Sequence, residues 1–226
     1  IWKFEMDGTK TAFKTGLNDP KGVATDKFNH LWVVEAGSSQ LLKIDLSSGE
    51  SEVVRTGLNV PTVVAVDSFG EAYVTQEGLN NVIRASDGKV MATYGTRATA
   101  VAFGVNDLML VGLYDESKVF WGDSLTSPST SVSEPVMIAT DGTGRVYVAE
   151  GAASNAKVYR YHQQGPDGEK IVADGLNGAT GIAVDAVGNI YIAEPGASRI
   201  VLVTFDQELY NWGAVVAPQY LAFTQY

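Results

Sequence analysis

Short apolar or alternating runs follow one another along the whole chain, each closed by Gly, Asn, Asp or Ser. That punctuation predicts short strands joined by tight turns, and no stretch of the pattern requires a helix. The runs also repeat. Residues 22–45 (GVATDKFNHLWVVEAGSSQLLKID) and 63–86 (VVAVDSFGEAYVTQEGLNNVIRAS) match in register at an offset of 41. The same unit begins again at Ala100 (AVAFGVNDLMLVG), Met137 (MIATDGTGRVYVAEG), Gly181 (GIAVDAVGNIYIAEPG) and Tyr220 (YLAFTQY), so six starts are visible.

A repeat of about 40 residues carrying four strands is the signature of a β-propeller blade. In the first unit the strands read as a, Gly22 to Asp26; b, Leu31 to Glu35; c, Leu41 to Asp45; and d, Glu52 to Thr56. Alanine holds one position of strand a in every unit: Ala24, Ala65, Ala102, Ala139, Ala183 and Ala222. Blades converge on a central axis, where the innermost strands have least room and a small side chain is what close packing requires. After strand a come Asp26, Asp67, Asp141 and Asp185, followed three residues later by Asn29, Gly70, Gly144 or Gly188, which reads as turn chemistry. The recurring GLN ahead of strand a (Asn18, Asn59, Asn177) reads as structural in the same way.

The two ends complement each other. IWKFE aligns with strand c and TAFKTGLN with strand d, while PQYLAFTQY aligns with strand a. The expected fold is therefore an all-β, six-bladed β-propeller forming one domain over 1–226, with blade starts near 20, 61, 98, 135, 179 and 218. Its last blade is expected to be closed by N-terminal strands c and d with C-terminal strand a. This makes 23 strands, one short of 24, and leaves strand b of the last blade before Ile1 or after Tyr226: a three-stranded blade or a chain trimmed from a longer parent.

Charge narrows the partners. With 16 basic and 26 acidic residues, a net charge of −10 and no dense Lys/Arg run, the chain lacks the footprint of a nucleic-acid binder. No apolar run approaches the roughly 18 residues of a membrane span, so a soluble monomer is expected, with secreted and periplasmic placements both open. The absence of cysteine excludes disulfides, thiolate metal sites and cysteine nucleophiles.

Motifs such as GLNDPKGVATDKFNHLWVVEAGSSQLLKI and GLNGATGIAVDAVGNIYIAEPGASRI resemble NHL-type repeats. More broadly they resemble the six-bladed group that includes gluconolactonase and senescence-marker proteins, virginiamycin B lyase and strictosidine synthase-like proteins. That architecture hosts binding modules, lactonases and lyases alike. The d-to-a and b-to-c connections of a propeller surround one mouth of its channel. This places Glu35, Gln76, Gly112, Glu150 and Glu194 at equivalent ends of strand b, with Glu77 and Asp115 in the following loops and Asp19, Lys21, Arg97 and Glu134 at the entrances to strand a. Tyr114 and Tyr220 belong near the same mouth, whereas Trp32, Tyr73, Tyr147 and Tyr191 share one strand b position and read as core.

Two functions follow. The first is a rigid binding or interaction module presenting an acidic channel mouth to a small ligand or a protein. The alternative is a divalent-metal-dependent lactonase or arylesterase, in which calcium or magnesium is held by Glu35, Glu150 and Glu194 and polarises a carbonyl or a water. The gluconolactonase-like resemblance implies such a channel-mouth metal. The lyase resemblance would ask for histidine beside the strand b glutamate, but Ala36 and Gly37 follow Glu35, and Gly151 and Ala152 follow Glu150. Both histidines, His30 and His162, map to the opposite face. A third motif, VFWGDSLT (119–126), resembles the nucleophile block of GDSL esterases, with Ser124 as nucleophile. That family implies an α/β sandwich and an Asp-x-x-His block. The repeat instead makes VFW a strand c and GDSLTSPSTS a c-to-d loop, and no Asp-x-x-His occurs in the chain.

Overall fold

A computed structural model describes residues 1–5, 9–122, 129–162 and 165–223, with the backbone alone over 165–169. Two strands, β1 (Trp2–Phe4) and β2 (Lys10–Ala12), pair as a short antiparallel ribbon. Five four-stranded antiparallel sheets follow, each in the order a, b, c, d. Blade one is β3 (Pro20–Thr25), β4 (His30–Glu35), β5 (Gln40–Asp45) and β6 (Ser51–Arg55). Blade two is β7 (Pro61–Val66), β8 (Ala72–Gln76), β9 (Asn81–Arg84) and β10 (Val90–Thr93). Blade three is β11 (Ala98–Phe103), β12 (Met109–Leu113), β13 (Lys118–Trp121) and β14 (Ser129–Ser131). Blade four is β15 (Pro135–Thr140), β16 (Arg145–Glu150), β17 (Ala156–His162) and β18 (Gly165–Leu176). Blade five is β19 (Gly181–Val184), β20 (Ile190–Glu194), β21 (Arg199–Val203) and β22 (Leu209–Ala214). The fold is an all-β propeller. The only helical elements among the described residues are three single turns of 3₁₀ helix.

Burial changes outward along each blade. The second strand is buried on both faces, without break in β8, β12 and β20, because it lies between neighbouring sheets. This explains its continuous apolar runs (LWVV, YIA) where a half-exposed strand would alternate. Outer strands such as β6 and β22 are largely exposed. The innermost strands pack in chain order, β3 on β7, β7 on β11, β11 on β15 and β15 on β19. At Gly22 the approach is tight enough that a Cβ would stand 2.6 Å from Val63 Cα.

The turn aspartates act on the backbone. Asp26 accepts from the amides of Phe28 and His30, Asp67 from Phe69 and Glu71, Asp141 from Thr143 and Arg145, and Asp185 from Val187 and Asn189. The strand b aromatics reach back to three of these carboxylates: Trp32 Nε1 to Asp26 and the hydroxyls of Tyr73 and Tyr147 to Asp67 and Asp141. The Tyr73 phenol is pushed up to about 12, chiefly by burial and then by the neighbouring Asp67 charge.

The blade count departs from the expectation of six. Five four-stranded blades are formed, and the described residues contain 22 strands. The IWKFE and KTA segments make only the β1–β2 ribbon, and of PQYLAFTQY (218–226), expected as a further strand a, residues 218–223 form no ladder while 224–226 lie outside the described residues. The physical reason is the partner. A strand a pairs with strand b of its own blade, and among the described residues no strand b stands at this seam for either β1 or residues 219–223 to pair with. The latter nevertheless lie against β19, since a Cβ on Gly181 would meet Gln219 O at 2.4 Å and Tyr220 Cα at 2.9 Å. On the other side Thr25 Oγ1 of β3 donates to the Phe223 carbonyl. VFW lies in β13 as read, while Ser124 and most of the GDSLTSPSTS loop lie outside the described residues.

Candidate functional site at the channel mouth

The loops between blades and the ends of strand b build one face by a repeated exchange of backbone hydrogen bonds. Gly37 N–H donates to Asn18 O, Gly78 N–H to Asn59 O, Gly196 N–H to Asn177 O, and Gly151 N–H to Glu134 O. The Asn side chain packs so closely on the glycine that a Cβ on Gly37, Gly78 or Gly196 would overlap it. Immediately before strand a the chain turns through positive φ, at Asp19 (47°), Val60 (49°), Glu134 (45°) and Ala217 (44°). Each is followed by a proline, Pro20, Pro61, Pro135 or Pro218. The strain belongs to a recurring entrance turn, which presents the residue before each proline at the rim.

Of the thirteen residues assigned from sequence, eleven, all but Gly112 and Asp115, separate into two sets. Four sit at the ends of strand b and are buried: Glu35, Gln76, Glu150 and Glu194. Glu35 accepts from the Asn18 amide at 2.7 Å and from Gln40 Nε2 at 2.6 Å. Gln76 accepts from the Asn59 amide at 2.8 Å and donates to Asn81 Oδ1. Glu194 accepts from the Asn177 amide at 2.6 Å and from Arg199 Nε. Glu150 takes the Tyr159 hydroxyl at 2.8 Å. Glu35, Gln76 and Glu194 are latches that hold the loops of their own blades, whereas Glu150 bonds Tyr159 of β17.

The other seven form a string across the rim. Tyr114 OH donates to Glu134 at 2.9 Å, and the Arg97 guanidinium lies 4.6 Å from the Tyr114 ring centre while bonding Asp115 at 2.6 Å. Asp115 holds Arg97 further up, and Arg97 holds the Asp115 carboxyl down; the hydrogen bond to Glu134, then burial, raises the Tyr114 phenol. Glu77 lies within electrostatic range of both Arg97 and Tyr220. Burial pushes the Tyr220 phenol up to about 12, with the Glu77 and Asp19 charges adding to it, and Asp19 pairs with Lys21 at 3.2 Å. The string runs from blade four, through blades three and two, to the C-terminal segment and blade one.

Calcium or magnesium at Glu35, Glu150 and Glu194 does not fit this arrangement. Their oxygens face amide, amide-nitrogen, guanidinium or hydroxyl donors on three separate blades, and a cation would have to displace those bonds. Among the described residues no group of three or more His, Cys, Asp and Glu side chains could hold a metal ion. His30 is engaged through Nδ1 with Asp26, in the a-to-b turn. No helix of the described residues is long and apolar enough to cross a membrane.

Sequence reading missed a concavity that shares Lys21 and Tyr220 with the mouth. A cavity of about 400 Å³ lies at the seam between blade five and blade one, with Trp2, Phe4, Tyr191, Trp212 and Phe223 among its walls. The signal for it was the unfilled strand position in the repeat.

No protein-family model matches the chain, and no curated protein matches it by sequence. Solved structures do. A chain of the nidogen/laminin complex superposes with a TM-score of 0.74 at 13% identity, covering 96% of this chain and 92% of that one. Virginiamycin B lyase from Staphylococcus aureus gives 0.67 at 14%, covering 91% and 75%. The gluconolactonase of Xanthomonas campestris gives 0.75 at 12%, covering 92% and 80%. At such identities the likeness concerns the fold, and it lies with the group of propellers that the NHL-type repeats resemble.

Proposed function

We propose that this chain is a binding module, and that its ligand, a small polar molecule or a protein loop, docks on the channel mouth through Asp19, Lys21, Glu77, Arg97, Tyr114, Glu134 and Tyr220. The observation that carries this reading is the pairing pattern of the mouth. Rim charges are held against one another, and buried carboxylates against backbone amides, which favours a preorganised recognition surface over a site poised for proton transfer. Carboxylates at the rim outnumber cations, so the mouth is read as acidic and as suited to ligands carrying an amine or several hydroxyls. The presence of a nidogen/laminin chain among the similar propellers is compatible with a protein partner.

The alternative is a divalent-metal-dependent lactonase or arylesterase. The fold it shares with gluconolactonase favours it, and the engaged carboxylates weigh against it. Calorimetry with calcium and with magnesium, together with lactone and aryl-ester panels, separates the two. Binding of neither ion and no turnover is expected. Turnover that disappears with a chelator and with Glu150→Gln plus Glu194→Gln would overturn the binding-module reading. The positive arm is a thermal-shift panel of sugars, amines, organic acids and short peptides. Stabilisation lost in Arg97→Ala and Tyr220→Phe supports docking at the mouth, and stabilisation indifferent to both refutes it.

A further inference from the structure

The face opposite the channel mouth carries apolar side chains where its turns require none. Phe28, Phe69 and Val187 share one position, two residues after the turn aspartates Asp26, Asp67 and Asp185, and are 52, 80 and 70% exposed. Each aspartate takes only the backbone amide at that position. In blade four Thr143 fills it and bonds Asp141 through its hydroxyl as well, so a polar residue serves the turn at least equally. Exposed phenylalanine is thus no product of turn chemistry, and apolar side chains gathered on one face mark an interaction surface.

The two phenylalanines at this position differ in what surrounds them. The Phe28 ring lies over Gly70, so closely that a Cβ there would stand 2.7 Å from it, and Lys27 Nζ lies 5.3 Å from the ring centre. Phe205 rests in the same way on Gly188, with the Arg145 guanidinium 5.6 Å from its ring centre. At Phe69 both supports are missing. In the following turn the place of Gly70 is taken by Asp107, whose carboxylate reaches back to Ser68, at 2.7 Å from both its amide and its hydroxyl. Ser68 itself holds the place of Lys27, and among the described residues no cation lies over the Phe69 ring. The turns on either side, 67–71 (DSFGE) and 104–108 (GVNDL), contain three carboxylates, Asp67, Glu71 and Asp107, and no cation.

We propose that Phe69 and its flanking carboxylates form a docking surface for a basic segment of a partner protein, which sets a lysine or arginine on the exposed ring. The charge pattern selects this occupant. A cation over the face of a ring is attracted by the ring quadrupole, and carboxylates on both sides add to that attraction. Lys27 on Phe28 and Arg145 on Phe205 are the same chemistry satisfied inside the molecule. An anionic membrane, or a second copy of a chain with net charge −10, would instead bring like charge to Asp67, Glu71 and Asp107. Phe28, packed on the neighbouring Gly70, extends the apolar floor on which the aliphatic stem of the arriving side chain rests. This surface lies at the other ends of the strands from the mouth and does not depend on what the mouth binds.

The test titrates the full chain into a fluorescently labelled GLKRLKG peptide, with GLQQLQG as the uncharged counterpart, and reads anisotropy. Saturable binding of GLKRLKG is expected, about tenfold weaker in Phe69→Ser and about threefold weaker in Phe69→Leu, which keeps apolar bulk and removes the ring. Phe69→Ser should keep the wild-type melting temperature, since the turn uses only the amide of that residue. Any of five results would overturn the proposal. The first is no saturable binding by a chain whose far-UV spectrum shows it folded. Equal binding by Phe69→Ser would reduce the attraction to net charge, and equal affinity for GLQQLQG would leave an apolar patch without charge selection. A dimer in sedimentation that Phe69→Ser abolishes would make a second copy the occupant. Phosphatidylcholine vesicles that pellet the wild-type chain but not Phe69→Ser would make it a bilayer.

Discussion

Blade one and the seam contain the same kind of inner segment with different outcomes. Residues 20–25 form β3, laddered to β4; residues 218–223, aligned with them in the repeat, form none. Most side-chain contacts of an inner strand are nevertheless present at the seam. Thr180 Oγ1 donates to Pro218 O as Thr99 Oγ1 does to Pro135 O. Tyr191 lies 4.6 Å from Phe223, and Tyr73 4.7 Å from Phe103. Ala217 turns through the same left-handed φ as Asp19. Placement and strand formation thus have separate causes. Contacts between neighbouring inner segments place the chain around the axis, whereas the ladder that makes it a strand comes from a partner within the same blade.

The largest expected effect exploits this difference directly. Gly22 and Gly181 are equivalent, and a Cβ on either would strike the backbone of the next inner segment, at 2.6 Å from Val63 Cα and 2.4 Å from Gln219 O. Val63 belongs to β7 and is held by its blade, so Gly22→Ala should cost about 3 kcal/mol. Residues 219–221 have no ladder to break, and the cost of Gly181→Ala should fall to about 1 kcal/mol. Urea unfolding of both variants checks this. Equal losses would mean that the seam segment is as firmly held as a complete blade and would remove the distinction.

Next in size are the latches. Glu35→Ala strips the Asn18 amide and Gln40 of their acceptor at a buried site and should destabilise by about 2 kcal/mol. Gln76 fills the same role without a charge, so Glu35→Gln should recover most of that loss. Were Glu35 a metal ligand instead, the Gln variant would leave stability unchanged and abolish cation binding. Chemical denaturation with and without calcium separates these outcomes.

The latches also mark how far the sequence could be read. The repeat fixed strand a by its alanines and its turn by the aspartates, because both residue types answer to local demands: a narrow space, and amides two and four residues ahead. Side-chain direction at the end of strand b was harder, since a glutamate at a loop end can face a ligand or its own backbone. The deciding signal lay in pairs far apart in the chain. Each of Glu35, Gln76 and Glu194 is followed within two residues by a glycine and partnered by a GLN turn, while Glu150 lacks the GLN and bonds Tyr159 instead. The blade count was misjudged for a similar reason. Alignment detects a strand-like segment, but a ladder requires two of them.

A smaller effect is expected at the turn aspartates. Asp141 accepts from the amides of Thr143 and Arg145 and from the Tyr147 hydroxyl. Burial works to raise its carboxyl, yet the Arg145 and Thr143 amides, the Thr143 hydroxyl and the Arg145 charge leave it below the usual value. Its contribution to stability is therefore present above the unfolded carboxylate value of about 3.9 and is lost as pH falls through the lower native one. Asp141→Ala should cost about 1 to 2 kcal/mol at neutral pH. Its penalty should shrink on acidification; a penalty constant down to the acid transition would mean that the carboxylate charge plays no part in the turn.

The smallest effect reports on whether the C-terminal segment keeps Tyr220 at the mouth. Tyr220 and Tyr73 are both pushed up to about 12, the latter in a complete blade and the former in a segment without a ladder. A phenol raised in the native state stabilises the fold fully below its unfolded value near 10, and that contribution is lost as pH climbs from there through the native value. Phenolate absorbance of wild type minus Tyr220→Phe isolates one titration, and a midpoint near 12 is expected if the segment holds its place against Glu77 and Asp19. A midpoint near 10 would mean that residues 219–223 leave the channel wall in solution. The Tyr73→Phe difference is expected to stay high in either case, because blade two holds that phenol on Asp67 whatever the seam does.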